Sequence, residues 1–399
     1  MRNGTDARGV NGDDLEKAKI GRWSISFTAL RAYTMVIAMI AIWIFFQVKT
    51  VSDIYPYGLF LHPLNFANLL KQMAVTGVLA VGMLMVIVAR QIDLSVGSMV
   101  GLAGGIAAMT QDHGLVVALG SAVVVGTAIG ALQGSLVAWG NIPAFIVTLG
   151  GLLAWRGVIL YLSRGETIPI RLPVFRSLGV ALVQPAVGFI LAGVAVAAVI
   201  WTTWRRNAAR KRHNLPPSSA LVTVARIVIP SILIFAFVYH MNRQGGVPLP
   251  VLILVFVALI GAFVMRSTTF GRYLYAIGSN PEAARLSGIS ITRHILGAFA
   301  FLGALVGVAA ILHTGRVGSA SPDAGSLMEL DAIAACVIGG TSLMGGRGTV
   351  AGALLGALIM ASLDNGMSLL SVENATQYII KGAVLVAAVG FDMAGRRKG

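Results

Sequence analysis

Charge is scarce in this chain of 399 residues: 30 Lys and Arg and 15 Asp and Glu make up 11% of the sequence. Soluble domains carry about 25%. A surface so poor in charge could not keep a chain of this length in water, which excludes a soluble enzyme, a disordered chain and a nucleic-acid binder. Cysteine is rarer still. Cys336 stands alone, so no intrachain disulfide framework exists. The six histidines are scattered without ligand spacing, and no zinc or redox site is expected. There is no G-x-x-x-x-G-K-[ST] phosphate loop. The richest glycine stretch, Gly339–Gly348, lacks the lysine that would reach a phosphate. No cofactor, metal or catalytic residue is expected.

What is present is apolar. Hydrophobic residues make up 57% of the chain, and the mean hydropathy is +0.84. A bilayer core of about 30 Å asks for about 20 apolar residues per helix. Runs of this kind cover 33–48, 73–89, 94–111, 115–139, 143–162, 185–204, 219–240, 248–265, 295–313, 349–363 and 376–394. Lipid offers no partner for free backbone groups, so these runs read as helices. The absence of dyad alternation excludes a β-barrel. The fold class is an all-α, polytopic membrane protein with about 10–12 crossings. Residues 332–344 are apolar but short, and fit a half-helix, a re-entrant element or a tight span.

Lys and Arg accumulate on the cytoplasmic side of membrane proteins. The basic clusters are the N-terminal tail, Arg205–Arg212, the segment from Arg266 to Arg293, and Arg396–Lys398. All four fall inside if the N-terminus is cytoplasmic and 332–344 counts as a crossing, which gives twelve crossings. The expected organisation is a cytoplasmic tail (1–32), a transmembrane domain (33–394) and a short cytoplasmic tail (395–399). The domain carries a basic cytoplasmic loop at 205–218 and a second cytoplasmic loop at 267–293. The sequence pI of about 10.6 then reflects topology and contact with anionic membrane lipids rather than nucleic acid.

Carboxylates buried in the membrane would mark an ion route. Asp93, Asp331 and Asp364 fall at the ends of the runs instead, which leaves ion-coupled transport weakly supported. Of the three charges inside runs, Arg156, Arg226 and Lys381, the last reads as snorkelling from a helix end. Glycines at i+4 spacing, namely Gly97, Gly101 and Gly105, then Gly126, Gly130 and Gly134, then Gly352 and Gly356, read as close helix seams. Asp93 reads as the cap of the helix that follows it.

One cytoplasmic segment carries a complete set of short-helix signals. Asn280 suits the N-cap, and Pro281 the first helical position. Glu282 lies in the first turn, where the helix dipole favours a carboxylate. Ala283, Ala284, Arg285 and Leu286 form helix readily, and Gly288 suits the left-handed residue past the end. Two turns are too short to stand alone, so the helix rests on the protein body and can present a knob to a cytoplasmic partner.

At these residues the chain resembles the permease subunits of bacterial ABC importers for monosaccharides, the ribose/xylose/autoinducer branch. The runs Ile92–Gly97, Ala276–Ile289, Glu329–Gly340 and Met360–Ser368 carry the resemblance, which extends over about residues 33–394. The Leu330–Gly340 and Met360–Ser368 runs, with a mid-chain block at about 165–246, lean towards the xylose-type members. Gln91 departs from the glutamate that many relatives carry. The resemblance implies a permease homodimer with the sugar pathway at its interface, an ABC ATPase subunit on the cytoplasmic side and a periplasmic sugar-binding protein outside. It also implies that 281–287 is the helix coupling permease to ATPase. Glu282 and Arg285 would make the polar contacts, Ala283, Ala284 and Leu286 the apolar seat, and Asn280 and Gly288 would fix the ends. Asp93, Asp331, Asp364 and Asn365 are the candidates for lining the pathway. An ion-coupled sugar transporter acting without an ATPase is the alternative.

Overall fold

The computed structural model describes residues 27–214 and 219–396, with side chains over 34–390. The expected N-terminal tail to residue 26, positions 215–218 of the basic loop, and Arg397–Lys398 lie outside the described residues. The architecture is all-α. Among the described residues, eight helices are long and apolar enough to cross a membrane: α2 (Pro63–Val88), α4 (Leu115–Ala138), α5 (Ala144–Ser163), α7 (Pro185–Arg212), α8 (Ala220–Asn242), α9 (Leu249–Ser267), α12 (Ile291–Val317) and α14 (Val350–Leu369). Two more, α1 (Phe27–Lys49) and α15 (Asn374–Arg396), run the same distance. Short helices fill the connections: α6 (Pro173–Val180), α10 (Thr269–Ser279) and α11 (Pro281–Leu286).

The remaining two passes are broken. The first leaves α2 at Val88, runs without helix through Arg90–Ser95, and becomes helical in α3 (Val96–Thr110). The second starts at β4 (Ser319–Ala320), continues without helix to Leu327, and ends in α13 (Met328–Ile338). Thus 332–338 is the helical end of a stretch whose first part, 319–327, is not helical, and the described residues are consistent with twelve passes if this stretch crosses. Non-helical backbone inside a membrane protein must be enclosed by protein, and here the two breaks enclose each other. A Cβ on Gly97 would lie 2.1 Å from the Glu329 carboxylate and 2.2 Å from the Gly325 carbonyl. The first turns of α3 and α13 therefore lie side by side within the bundle.

The halves around these breaks repeat one another upside down. Helices α2, α3, α4 and α5 correspond to α12, α13, α14 and α15, with opposite directions. Contacts recur between the halves: α2 packs on α14 as α12 packs on α4, and α3 on α12 as α13 on α2. Likewise α3 packs on α4 and α5, and α13 on α14 and α15. Inverted repeats with discontinuous helices recur in transporter folds. Glycine sets the α4–α12 seam. A Cβ on Gly126 would meet the Gly303 carbonyl oxygen at 2.3 Å, and one on Gly303 would meet that of Gly126 at 2.2 Å. Gly352 and Gly356 admit Gly339 and Ala335 of the broken pass in the same way.

The core lies along α2, buried from Ala74 to Ala89, and α12. At the end opposite α11, β1 (Ile168–Pro169) pairs with β4, and β2 (Leu182–Val183) with β3 (Val247–Pro248), both antiparallel. Helices α7 and α8 form a rim hairpin that packs mainly on itself. Helix α7 continues through Arg210, Lys211 and Arg212. The first part of the expected basic loop is therefore a helix end, whose cations suit the negative pole of its dipole.

Candidate functional site

The knob at α11 is built by local signals. Thr268 opens α10, its hydroxyl accepting the Gly271 N–H at 3.2 Å. Pro281 cannot continue the hydrogen-bond ladder of α10, so the chain turns at Asn280 and starts α11. The Asn280 side chain accepts the Ala283 N–H at 3.0 Å, completing the N-cap. At the other end Gly288 takes φ +80°. Its conformation lets the Ile289 N–H reach back to the Ala284 carbonyl at 3.0 Å, a closure that favours glycine at this position.

The knob thus has a fixed shape and an open face. Glu282 and Arg285 lie 3.7 Å apart, and their side chains are 77% and 70% exposed. An ion pair so exposed contributes little to stability, which leaves both groups free to pair elsewhere. Leu286 is 81% exposed, unusual for a leucine at the water-facing end of a membrane protein. Ala283 is exposed with it, but Ala284 is buried against the body. Ala284 therefore seats the knob on its own protein, and only Ala283 and Leu286 remain as apolar surface. Nor is 267–293 a loop: it is helix but for its joints.

The four pathway candidates do not form one site. Asp93 is 1% exposed. Its Oδ1 accepts the Ser95 N–H at 2.8 Å and the Ser95 hydroxyl at 2.6 Å. Ser95, not Asp93, occupies the N-cap position of α3, and no side chain completes the cap. The carboxylate instead shapes the turn inside the broken pass, with Gln133 of α4 hydrogen-bonded to the same serine at 2.9 Å. Asn365 faces Asn65 of α2, and their amides exchange hydrogen bonds of 2.8 and 3.0 Å. Asp331 and Asp364 do come together, around Lys381. Its Nζ is 3.1 Å from Asp331 and 2.9 Å from Asp364, with side-chain exposures of 18%, 11% and 13% for the lysine and the two aspartates. Lys381 does not snorkel. It binds α15 to α13 and α14 through two enclosed carboxylates.

Two further residues, both visible in the sequence, take places in the fold that the sequence does not indicate. Glu329, at the second position of α13, is buried beside Gly97. Arg156 of α5 donates through Nη1 to the Pro322 and Ala324 carbonyls, satisfying backbone that the broken second pass leaves unpaired. A glutamate and an arginine enclosed among apolar helices need partners, but only the fold reveals which. An apolar cleft of about 680 Å³ lies between α1, α2, α9 and α14. Arg266 is the sole charged side chain lining it, beside the hydroxyls of Tyr275 and Thr349 and the indole N–H of Trp43. It offers no ring of donors and acceptors for a sugar.

The family described as the permease component of branched-chain amino acid transport systems matches residues 65–389. The chain belongs to this permease family. The permease is 43% identical over 372 residues to the xylose transport system permease protein XylH of Escherichia coli K12, covering 92% of this chain and 93% of that protein. XylH of Haemophilus influenzae is 42% identical over 373 residues, 92% and 98% of the two chains. The ribose import permease protein RbsC of Escherichia coli K12 is 35% identical over 330 residues, 82% and 85% of the two. No solved structure matches. With its eight long apolar helices and two broken passes, the permease is a multi-pass protein of the inner membrane.

Proposed function

We propose that this permease is the non-catalytic membrane subunit of an ATP-driven importer for a monosaccharide, D-xylose before ribose. The knob carries the reading: a rigid, doubly capped helix at the cytoplasmic end that exposes Glu282, Arg285 and Leu286 together. A soluble ATPase subunit docks there. Two permease copies form the pathway, and a periplasmic binding protein delivers the sugar to the opposite end. Identity to the xylose permeases, higher than to the ribose permease, supports the order of sugars. The apolar cleft and the engaged polar side chains support a pathway without a tight sugar site, selectivity resting with the binding protein. Asp331, Asp364, Asn365 and Asp93 enter the reading as groups that hold pathway helices in register.

Reconstitution tests it. Vesicles holding the permease with its ATPase and sugar-loaded binding protein should accumulate D-xylose only when ATP is supplied. Uphill uptake by the permease alone under a proton gradient would overturn the reading in favour of ion-coupled transport. Within the complex, Glu282→Lys should leave the permease inserted and reduce ATPase co-purification at least tenfold. Normal assembly and uptake in that variant would remove the knob from the docking surface.

A further inference from the structure

The knob and the second broken pass meet at one side chain. Helix α2 ends at Val88, and Arg90 two residues later adopts φ +62°, a left-handed conformation that only glycine adopts without cost. This geometry turns the guanidinium back across the cytoplasmic face. Its Nε–H is shared by the Gly278 carbonyl at 2.6 Å and the Met344 carbonyl at 2.8 Å, and Nη2 donates to the Ser279 carbonyl at 3.0 Å. Gly278 and Ser279 are the last residues of α10, where helical carbonyls lack partners. Asn280, the N-cap of the knob, follows them directly. Met344 lies in the glycine-rich loop that leaves α13.

The backbones around Arg90 are packed without slack. The Gly346 N–H donates to the Val88 carbonyl at 2.9 Å. A Cβ on Gly278 would lie 1.7 Å from that carbonyl oxygen and 2.5 Å from the Gly346 nitrogen. One on Gly346 would lie 2.5 Å from the Ser279 hydroxyl. The Tyr275 hydroxyl of α10 donates to the Gly348 carbonyl at 2.8 Å. The glycine-rich loop is tied in turn to α13, the Thr341 N–H reaching the Cys336 carbonyl at 2.9 Å. A displacement of α10–α11 therefore meets α13 through stiff contacts, and α13 is the half-helix whose first turn closes against α3.

We propose that Arg90 is the clamp that transmits movement of the docking knob to the broken pass ending in α13, so that ATPase closure and opening of the pathway occur together. The proposal rests on the docking role of α11 given above. Arg90 is a positioning residue: every group it grips is a main-chain carbonyl, so it recognises neither sugar nor ATPase. A planar guanidinium can hold three carbonyls in fixed directions, whereas an ammonium is a point charge on a flexible stem.

The test is the amount of radiolabelled D-xylose imported per ATP hydrolysed, measured on the full complex in proteoliposomes with sugar-loaded binding protein. Arg90→Ala is expected to keep the ATPase bound while import per ATP falls at least tenfold. Arg90→Lys is expected to recover part of the ratio, remaining at least threefold below the parent protein. An unchanged ratio in Arg90→Ala overturns the clamp. So does a parallel loss of ATPase binding and uptake, which would reduce Arg90 to a support of the docking surface. If Arg90→Ala does not accumulate in the membrane, Arg90→Lys and Gly346→Ala decide. Gly346→Ala forces the loop away from Ser279 without touching Arg90. A parental ratio in both overturns the clamp, and a lowered ratio with the ATPase still bound supports it. Failure of the docking reading has a separate signature, because Glu282→Lys would then assemble normally whatever the Arg90 variants do.

Discussion

Lys381 ties three helices together from a place enclosed by two aspartates. As a lone cation in an apolar run it suggests a side chain stretching towards water. In the fold it sits between Asp331 and Asp364, which lie 50 and 17 positions away on other helices. No periodicity links three residues on three helices, so the triad was not legible. Asp93, Asp331 and Asp364 are each visible in the sequence at the ends of apolar runs, but the non-helical stretches before α3 and α13, which draw two of them inward, are not. Removing one partner of an enclosed pair leaves an uncompensated charge and costs about 3–5 kcal/mol, whereas replacing a whole group by neutral residues can be nearly free. Lys381→Ala should therefore lower the thermal unfolding midpoint of the detergent-solubilised permease sharply. The triple change Asp331→Asn, Lys381→Met and Asp364→Asn should recover most of the loss. Equal midpoints for Lys381→Ala and the parent would show that the two carboxylates are neutral or hydrated without the lysine.

Among the elements, those specified by local rules were the most legible. Helix α11 follows from Asn280, Pro281 and Gly288 because capping acts within five residues. The inward orientation of Ala284 does not, since it depends on where the body of the protein lies. Helix α2 begins ten residues earlier than its apolar run, because Asn65, Lys71 and Gln72 interrupt the hydropathy without interrupting the helix. The glycine seams were legible as seams but not as pairs. Their pairing yields a contrast within a single helix. Gly120 of α4 faces open space, while a Cβ on Gly130 would lie 2.3 Å from the Phe299 carbonyl oxygen. Gly120→Ala should be neutral or stabilise by about 0.5–1 kcal/mol, the usual gain of alanine over glycine in a helix. Gly130→Ala should separate α4 from α12 and cost about 1–3 kcal/mol, as overpacking does. Thermal unfolding of the two variants in one detergent would compare them directly, and equal midpoints would mean that the α4–α12 seam has room to spare.

At the scale of the whole molecule, charge placement favours twelve passes, and the short run at 332–344 has a structural reason: the stretch before Met328 is not helix. Labelling by a membrane-impermeant maleimide tests the count, with Cys336, buried in the core, replaced by alanine. Leu286→Cys should react only from the cytoplasmic side, and Tyr57→Cys only from the opposite side. Glu373→Cys is decisive, because it joins Tyr57 if 319–338 crosses fully and joins Leu286 if that segment re-enters and returns. What hydropathy could not show is that the first four helices after α1 need the last four. Gly97, Gly126 and Gly130 close against residues from Phe299 to Glu329, roughly two hundred positions later in synthesis. At about 5–20 residues per second, a ribosome needs on the order of 10–40 s to supply those partners. For that interval the non-helical turn at Asp93 and Ser95 stands in the nascent chain without the pass that will enclose it. The inverted repeat is thus also a timetable: the permease cannot finish its first half until it has nearly finished its second.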